Sequence, residues 1–183
     1  MSQEQILLNK DGLVLKKTNK NHYNLEFDLM NNHIVLPKIL DFNIIKLVYD
    51  LNKDVYEKVN LEKINDNEAI ITILLKHFFE DLGLPQKFSH VHITKYIEEN
   101  KIIFKNESIR TSRPEYIPDN AELIVIKNMT TACSIISDHH IKQNINIILD
   151  KTMPIPQFME KMFVAILNKM FKRVKQFIEN IRM

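Results

Sequence analysis

The chain has 183 residues, 45% hydrophobic and 26% charged, with a net charge of +2; this is an ordinary globular balance, too near neutral to imply a polyanionic partner such as nucleic acid. A single cysteine, Cys133, excludes an internal disulfide and points to a reducing compartment, most simply the cytoplasm. Only two glycines occur, which removes the Gly-rich loops that cradle phosphates. One domain over residues 1–183 is the expectation for this length. The opening MSQEQILLNKDG lacks the basic-then-apolar pattern of a secretory leader. The longest apolar runs, Ile70 to Leu75 and Phe163 to Leu167, are far too short to span a bilayer. Abundant Asn, Lys and Ile reflect an AT-rich genome rather than any chemistry.

In chain order, Ile6 to Leu15 reads as a hairpin, with two apolar triplets flanking Asn9-Lys10-Asp11-Gly12, a four-residue turn in which Gly12 takes positive φ. Tyr23, Leu25, Phe27 and Leu29 alternate with Asn24, Glu26 and Asp28, the mark of a strand with one buried face. Pro37 then opens a helical region whose apolar spacing runs to about Asn60, with a break expected near Asn52. A second helix is expected over Ala69 to Leu82, with Asp66 as N-cap, Gly83 at the left-handed C′ position and Pro85 blocking continuation.

After Phe88 the pattern turns to strands. Val91, Ile93 and Tyr96 belong to one, Ile102 to Phe104 to the next, with Glu98-Glu99-Asn100-Lys101 as the turn between them. Thr111 to Asn120, with Pro114 and Pro118, reads as irregular. Strands follow at Leu123 to Ile126, Ala132 to Ile136 and Ile141 to Leu149.

The last stretch, Pro154 to Met183, places Met159, Met162, Phe163, Ile166, Leu167, Met170, Val174, Phe177, Ile178 and Ile181 on one face of a long helix starting near Pro156. Such a stripe needs a large partner surface, and hairpin-linked strands supply an antiparallel sheet with one face free for it. The fold expected is therefore α+β: a curved antiparallel sheet gripping a long C-terminal helix, with two helices inserted after the N-terminal strands.

No residue pattern demands catalysis. His90 and His92 share one side of a strand, and Asp138-His139-His140 lie far along the chain; metal-ligand spacing is not diagnostic in either, so no metal and no cofactor is called for. Cys133 lies in TTACSII, where a buried inert thiol is the plainer reading than a nucleophile. Ser134 and Ser137 lack a Gly-flanked elbow. Glu98 and Glu99 are adjacent in a turn and point apart. Lys169, Lys172, Arg173 and Lys175 offer a face for peripheral membrane contact, although Glu160 and Glu179 dilute it and a solvated helix face explains it as well.

The element order, and especially Ile145 to Met183 with its strand INIILDKT, junction MPIPQF and long helix, resembles the helix-grip fold of the START-related and polyketide-cyclase-like (SRPBCC) superfamily. The N-terminal hairpin and the length of the helical pair depart from that pattern. The resemblance implies a cavity between sheet and helix that holds a lipid, sterol or other apolar small molecule, and it carries over no catalytic residue. Phe158, Met162, Phe163, Ile166 and Met170 on the helix, with Ile93, Phe104, Ile124 and Ile147 opposite, are the expected lining. The primary reading is a non-enzymatic binding module. The alternative is a structural or interaction protein with a filled core, of the kind a large DNA virus encodes, acting through a protein partner or as a homo-oligomer. An enzyme would need polar groups in the same cavity, with His90, His92 and Tyr96 the first suspects.

Overall fold

A computed structural model describes residues 4–153 and 155–182. Both ends of the stretch read as the terminal helix, Pro154 and Met183, fall outside those residues, as do Met1 to Gln3.

The chain begins with a three-stranded meander: β1 (Gln5–Lys10), β2 (Leu13–Asn19) and β3 (His22–Met30). Lys10 pairs with Leu13, so the first turn has two residues rather than four. Asp11 and Gly12 both take positive φ, 57° and 76°, the geometry that matches the twist of a tight hairpin. On β2 and β3 the residues facing the core, Leu13, Leu15, Tyr23, Leu25, Phe27 and Leu29, are almost fully buried.

The helical region is shorter than its spacing suggested. A 3-10 turn at Leu36–Ile39 leads to α1 (Phe42–Asp50). The Asp41 carboxylate caps α1 by accepting from the Asn43 N–H at 2.7 Å. The chain breaks where expected: Asn52 is wholly buried, and its Nδ2 donates back to the Val48 carbonyl at 2.7 Å. Beyond it the chain runs not as helix to Asn60 but as β4 (Tyr56–Lys63).

The second expected helix, Ala69 to Leu82, does not form. Glu68–Leu75 is β5, paired with β4, and only a 3-10 turn at Glu80–Leu82 follows. The reason lies in Ile70-Ile71-Thr72-Ile73, four β-branched residues that prefer a pleated surface. Asp66 is not an N-cap; it lies in the β4–β5 turn, where the Ile64 and Asn65 N–H groups donate to the Glu68 carbonyl. Gly83 does hold the left-handed conformation, φ 66°, at the end of the 3-10 turn.

The remaining strands are β6 (Lys87–Glu98), β7 (Lys101–Ser108), β8 (Glu122–Leu123), β9 (Ile126–Ser137) and β10 (His140–Leu149), followed by α2 (Gln157–Asn180) with Pro156 at its N-cap. The two strands read at Leu123 to Ile126 and Ala132 to Ile136 resolve differently. β8 ends at Leu123, Ile124 and Val125 link the strands, and β9 runs from Ile126 through the second apolar cluster to Ser137.

The sheet order is β1-β2-β3-β10-β9-β7-β6-β5-β4, antiparallel throughout, with β8 alone pairing in parallel with β6. The architecture is a curved antiparallel sheet gripping the C-terminal helix. α2 buries Leu167, Met170, Val174 and Ile178, with Leu167, Val174 and Ile178 joining the main core. A second, small apolar cluster of Leu74, Phe88, Ile117 and Ala121 lies on the opposite sheet face, closed by the irregular segment. Among the described residues, no helix is long and apolar enough to cross a membrane.

Candidate functional site

Three walls enclose a cavity of about 420 Å³, within the ~300–1,000 Å³ typical of small-molecule sites. The sheet contributes Ile93 from β6, Phe104 from β7, Ile147 from β10 and Ile124 from the β8–β9 link. α2 contributes Met162, Phe163, Ile166 and Met170, successive members of its inward stripe. The third wall is α1, through Ile44, Ile45 and Val48, none of them foreseen as lining. Their i, i+1, i+4 spacing gives α1 one apolar face, and that was the available signal.

Phe158 does not line the cavity. It lies in the first turn of α2, only about 40° round the helix from Met162, at the rim of the inward stripe. Its ring is 48% exposed and meets Phe79 edge-on at 5.7 Å. Of the lining residues, Lys76 and Phe78 are exposed, which places the mouth at the β5–β6 connection, beside the start of α2.

The lining is almost wholly apolar. Among the described residues it holds no carboxylate, and its basic side chains, Lys76, His77 and Lys87, lie at or beside the β5–β6 connection. Three polar groups of the lining are paired within the protein. The Cys133 thiol donates to Gln143 Oε1 at 3.1 Å, the Tyr56 hydroxyl donates to Met170 Sδ at 3.1 Å, and Asn106 Nδ2 donates to the Met129 carbonyl at 3.3 Å. Burial pushes the Cys133 thiol up to about 12, only partly offset by Gln143, so it is a neutral S–H rather than a nucleophile. Burial likewise raises Tyr49 and Tyr56, whose rings meet edge-on at 4.9 Å.

No family profile matches the sequence, and no curated protein matches it either. Solved structures do match in three dimensions. The human StarD13 (DLC2) lipid transfer and protein localization domain superposes with a TM-score of 0.71 at 10% identity, covering 99% of this chain and 91% of that one. Human STARD10 gives 0.71 at 9% identity, covering 96% and 72%. A STAR-related lipid transfer protein fragment from Xanthomonas axonopodis gives 0.65 at 12% identity, covering 96% and 98%. The chain has the helix-grip fold.

Within that helix-grip fold the other candidate groups stand away from the cavity. His90 turns to the outer sheet face, between Thr72 Oγ1 at 2.8 Å and Ser112 Oγ at 3.3 Å, and burial lowers its pKa. His92 lies 3.3 Å from Glu68 on that face, and Tyr96 is exposed; none of the three lines the cavity. His139 reaches the Asn31 and Ile34 carbonyls, and His140 lies 2.7 Å from Asp28. Among the described residues, no three His, Cys, Asp or Glu side chains converge as a metal site would require.

Lys169, Lys172, Arg173 and Lys175 of α2 each lie beside an acid, on a neighbouring element or on α2 itself. Lys169 and Arg173 both bind Asp54, Arg173 at 2.5 Å. Lys172 lies 3.1 Å from Asp11, and Lys175 lies 2.6 Å from Glu179 and donates to the Asp28 carbonyl. Each positive charge proposed for membrane contact thus has a negative neighbour, and the helix presents a mixed rather than a basic face.

Proposed function

We propose that the protein is a non-enzymatic binding module that holds one apolar small molecule or lipid between the sheet and α2, acting as a single domain in the cytoplasm. The observation that carries this is the cavity itself. Some 420 Å³ of space lined by isoleucine, phenylalanine and methionine is space that close-packed interiors do not leave without a use. Water gains little there, whereas a hydrocarbon removes its own surface and the lining from water at ~25 cal/mol per Å². The methionines of α2, Met159, Met162 and Met170, suit a guest of irregular shape. The neighbours described as lipid transfer proteins favour the same reading. The filled-core alternative has the open volume against it. The enzyme alternative has, among the described residues, no acid–base pair facing the cavity.

The test is native mass spectrometry of the purified protein, followed by denaturation and extraction of what is released. A stoichiometric apolar molecule is expected, and it should vanish in Ile166→Trp, which fills the space from the helix side, while the circular dichroism spectrum is retained. A bare protein mass that also takes up no added hydrophobic probe would overturn the proposal.

A further inference from the structure

Gln143 stands out in the cavity wall. On β10, Ile141, Ile145, Ile147 and Leu149 face inward, and Gln143 occupies the same phase. It is 6% exposed and borders the cavity. Its Oε1 accepts from the Cys133 thiol, while its Nε2 has no hydrogen-bond partner among the described residues. That Nε2 is not among the wholly buried atoms left without a partner, so it reaches the open volume of the cavity, where a guest can supply the acceptor.

The place of Gln143 along the cavity gives the ligand a direction. It pairs with Cys133 on β9 and Phe27 on β3, and the Phe27 ring packs against Phe171 at 5.4 Å. The mouth lies toward the other end of β10, where Leu149 and Met153 line the cavity. Six residues of strand, roughly 20 Å, separate Gln143 from Leu149. Among the described residues, no Asp, Glu, Lys or Arg side chain lines this inner end, so a phosphate or carboxylate there would be buried without a counter-charge, at a prohibitive desolvation cost.

We infer that the Gln143 carboxamide, held by Cys133 at the inner end of the cavity, donates a hydrogen bond to the single hydroxyl or carbonyl oxygen of an otherwise apolar, uncharged lipid, which enters oxygen first. This rests on the cavity being a ligand site. Specificity then comes from the amide, and affinity from the hydrocarbon between it and the mouth.

The experiment uses diphenylhexatriene, a fluorescent hydrocarbon with no oxygen, displaced by 1-decanol or by decanoate at pH 8. The wild-type protein should take up the probe, and decanol should displace it at least tenfold more effectively than decanoate. In Gln143→Met, and in Gln143→Leu as a second variant, decanol affinity relative to that of the probe should fall about tenfold, the worth of one hydrogen bond. Unchanged decanol affinity in variants that still bind the probe would remove Gln143 as the anchor and leave the cavity reading standing. Decanoate binding as well as decanol would refute the uncharged class without any variant. Failure of the wild-type protein to bind either probe or alcohol would take down the cavity reading, and this inference with it.

Discussion

One helix meets one sheet in two different ways. Toward β1, β2 and β3, α2 packs side chain against side chain: Phe163 meets Tyr23 at 5.5 Å, and Phe171 meets Phe27 at 5.4 Å. Polar clasps hold that seam along its length. Lys17 and the Tyr23 hydroxyl both donate to Glu160, at 2.5 and 2.7 Å, and Asn31 Nδ2 donates to the Ile178 carbonyl at 2.6 Å. Toward β5, β6, β7 and β9 the same helix stands off, α1 fills part of the gap, and the rest is cavity. The difference teaches that stability and capacity are divided between the two sides. The packed seam holds the helix firmly enough for the other side to remain open.

The division has a direct energetic test. Leu25 is 1% exposed in the packed seam, and Leu25→Ala should cost about 2–5 kcal/mol of unfolding free energy in urea denaturation. Ile124 is half-buried and already borders empty space, so Ile124→Ala should cost less than half as much, because fewer contacts are there to lose. Equal losses would erase the distinction between the two sides.

A smaller effect sharpens the packed side. Gly12 holds φ 76° in the β1–β2 turn, and an added Cβ would stand 3.4 Å from Cε of Lys175 on α2. Gly12→Ala should therefore cost about 1–2 kcal/mol from the left-handed backbone alone, read in the same denaturation assay. The turn lies against the helix, so the variant should lower stability while leaving probe uptake by the cavity intact.

The packed side was also the more legible one in the sequence. β3 could be read because only its inner face is apolar, with Asn24, Glu26 and Asp28 outward. β5 could not, because both faces are covered: Ile71 and Ile73 look into the cavity while Leu74 closes the cluster on the other face. An apolar run buried on both sides has no period, and helix capping signals at Asp66 and Gly83 then decided wrongly. The helical spacing overshoots α1 because Val55, in the turn before β4, and Val59, within β4, continue its i, i+4 spacing by chance. The cavity wall was legible where it is a helical stripe: Met162, Phe163, Ile166 and Met170 border it, whereas Phe158, one turn before Met162, does not, because it lies in the first turn of α2 against Phe79. Gln143 shows in the sequence only as a polar residue in the apolar phase of QNINIIL, where Ile148 breaks the opposite phase as well.

The smallest expected effect concerns the joint between the two sides. Asp54, just after α1, binds Arg173 and Lys169 of α2, and these hydrogen bonds hold its carboxyl well below the usual carboxylate range. A depressed folded-state value stabilises the native state fully above the unfolded pKa of about 3.9 and loses that contribution as pH falls toward the lower folded value. The acid limb of the stability curve should therefore include an Asp54 component below about pH 4 that is absent in Asp54→Asn. The side chain is 42% exposed, so solvent screening should keep the loss at neutral pH under ~1 kcal/mol. The joint nonetheless ties the α1 wall of the cavity to α2. Asp54→Asn should speed release of diphenylhexatriene in stopped-flow dilution while barely shifting the urea midpoint. Release unchanged alongside a large loss of stability would place Asp54 with the packed seam, and the boundary between the two sides would have to be redrawn.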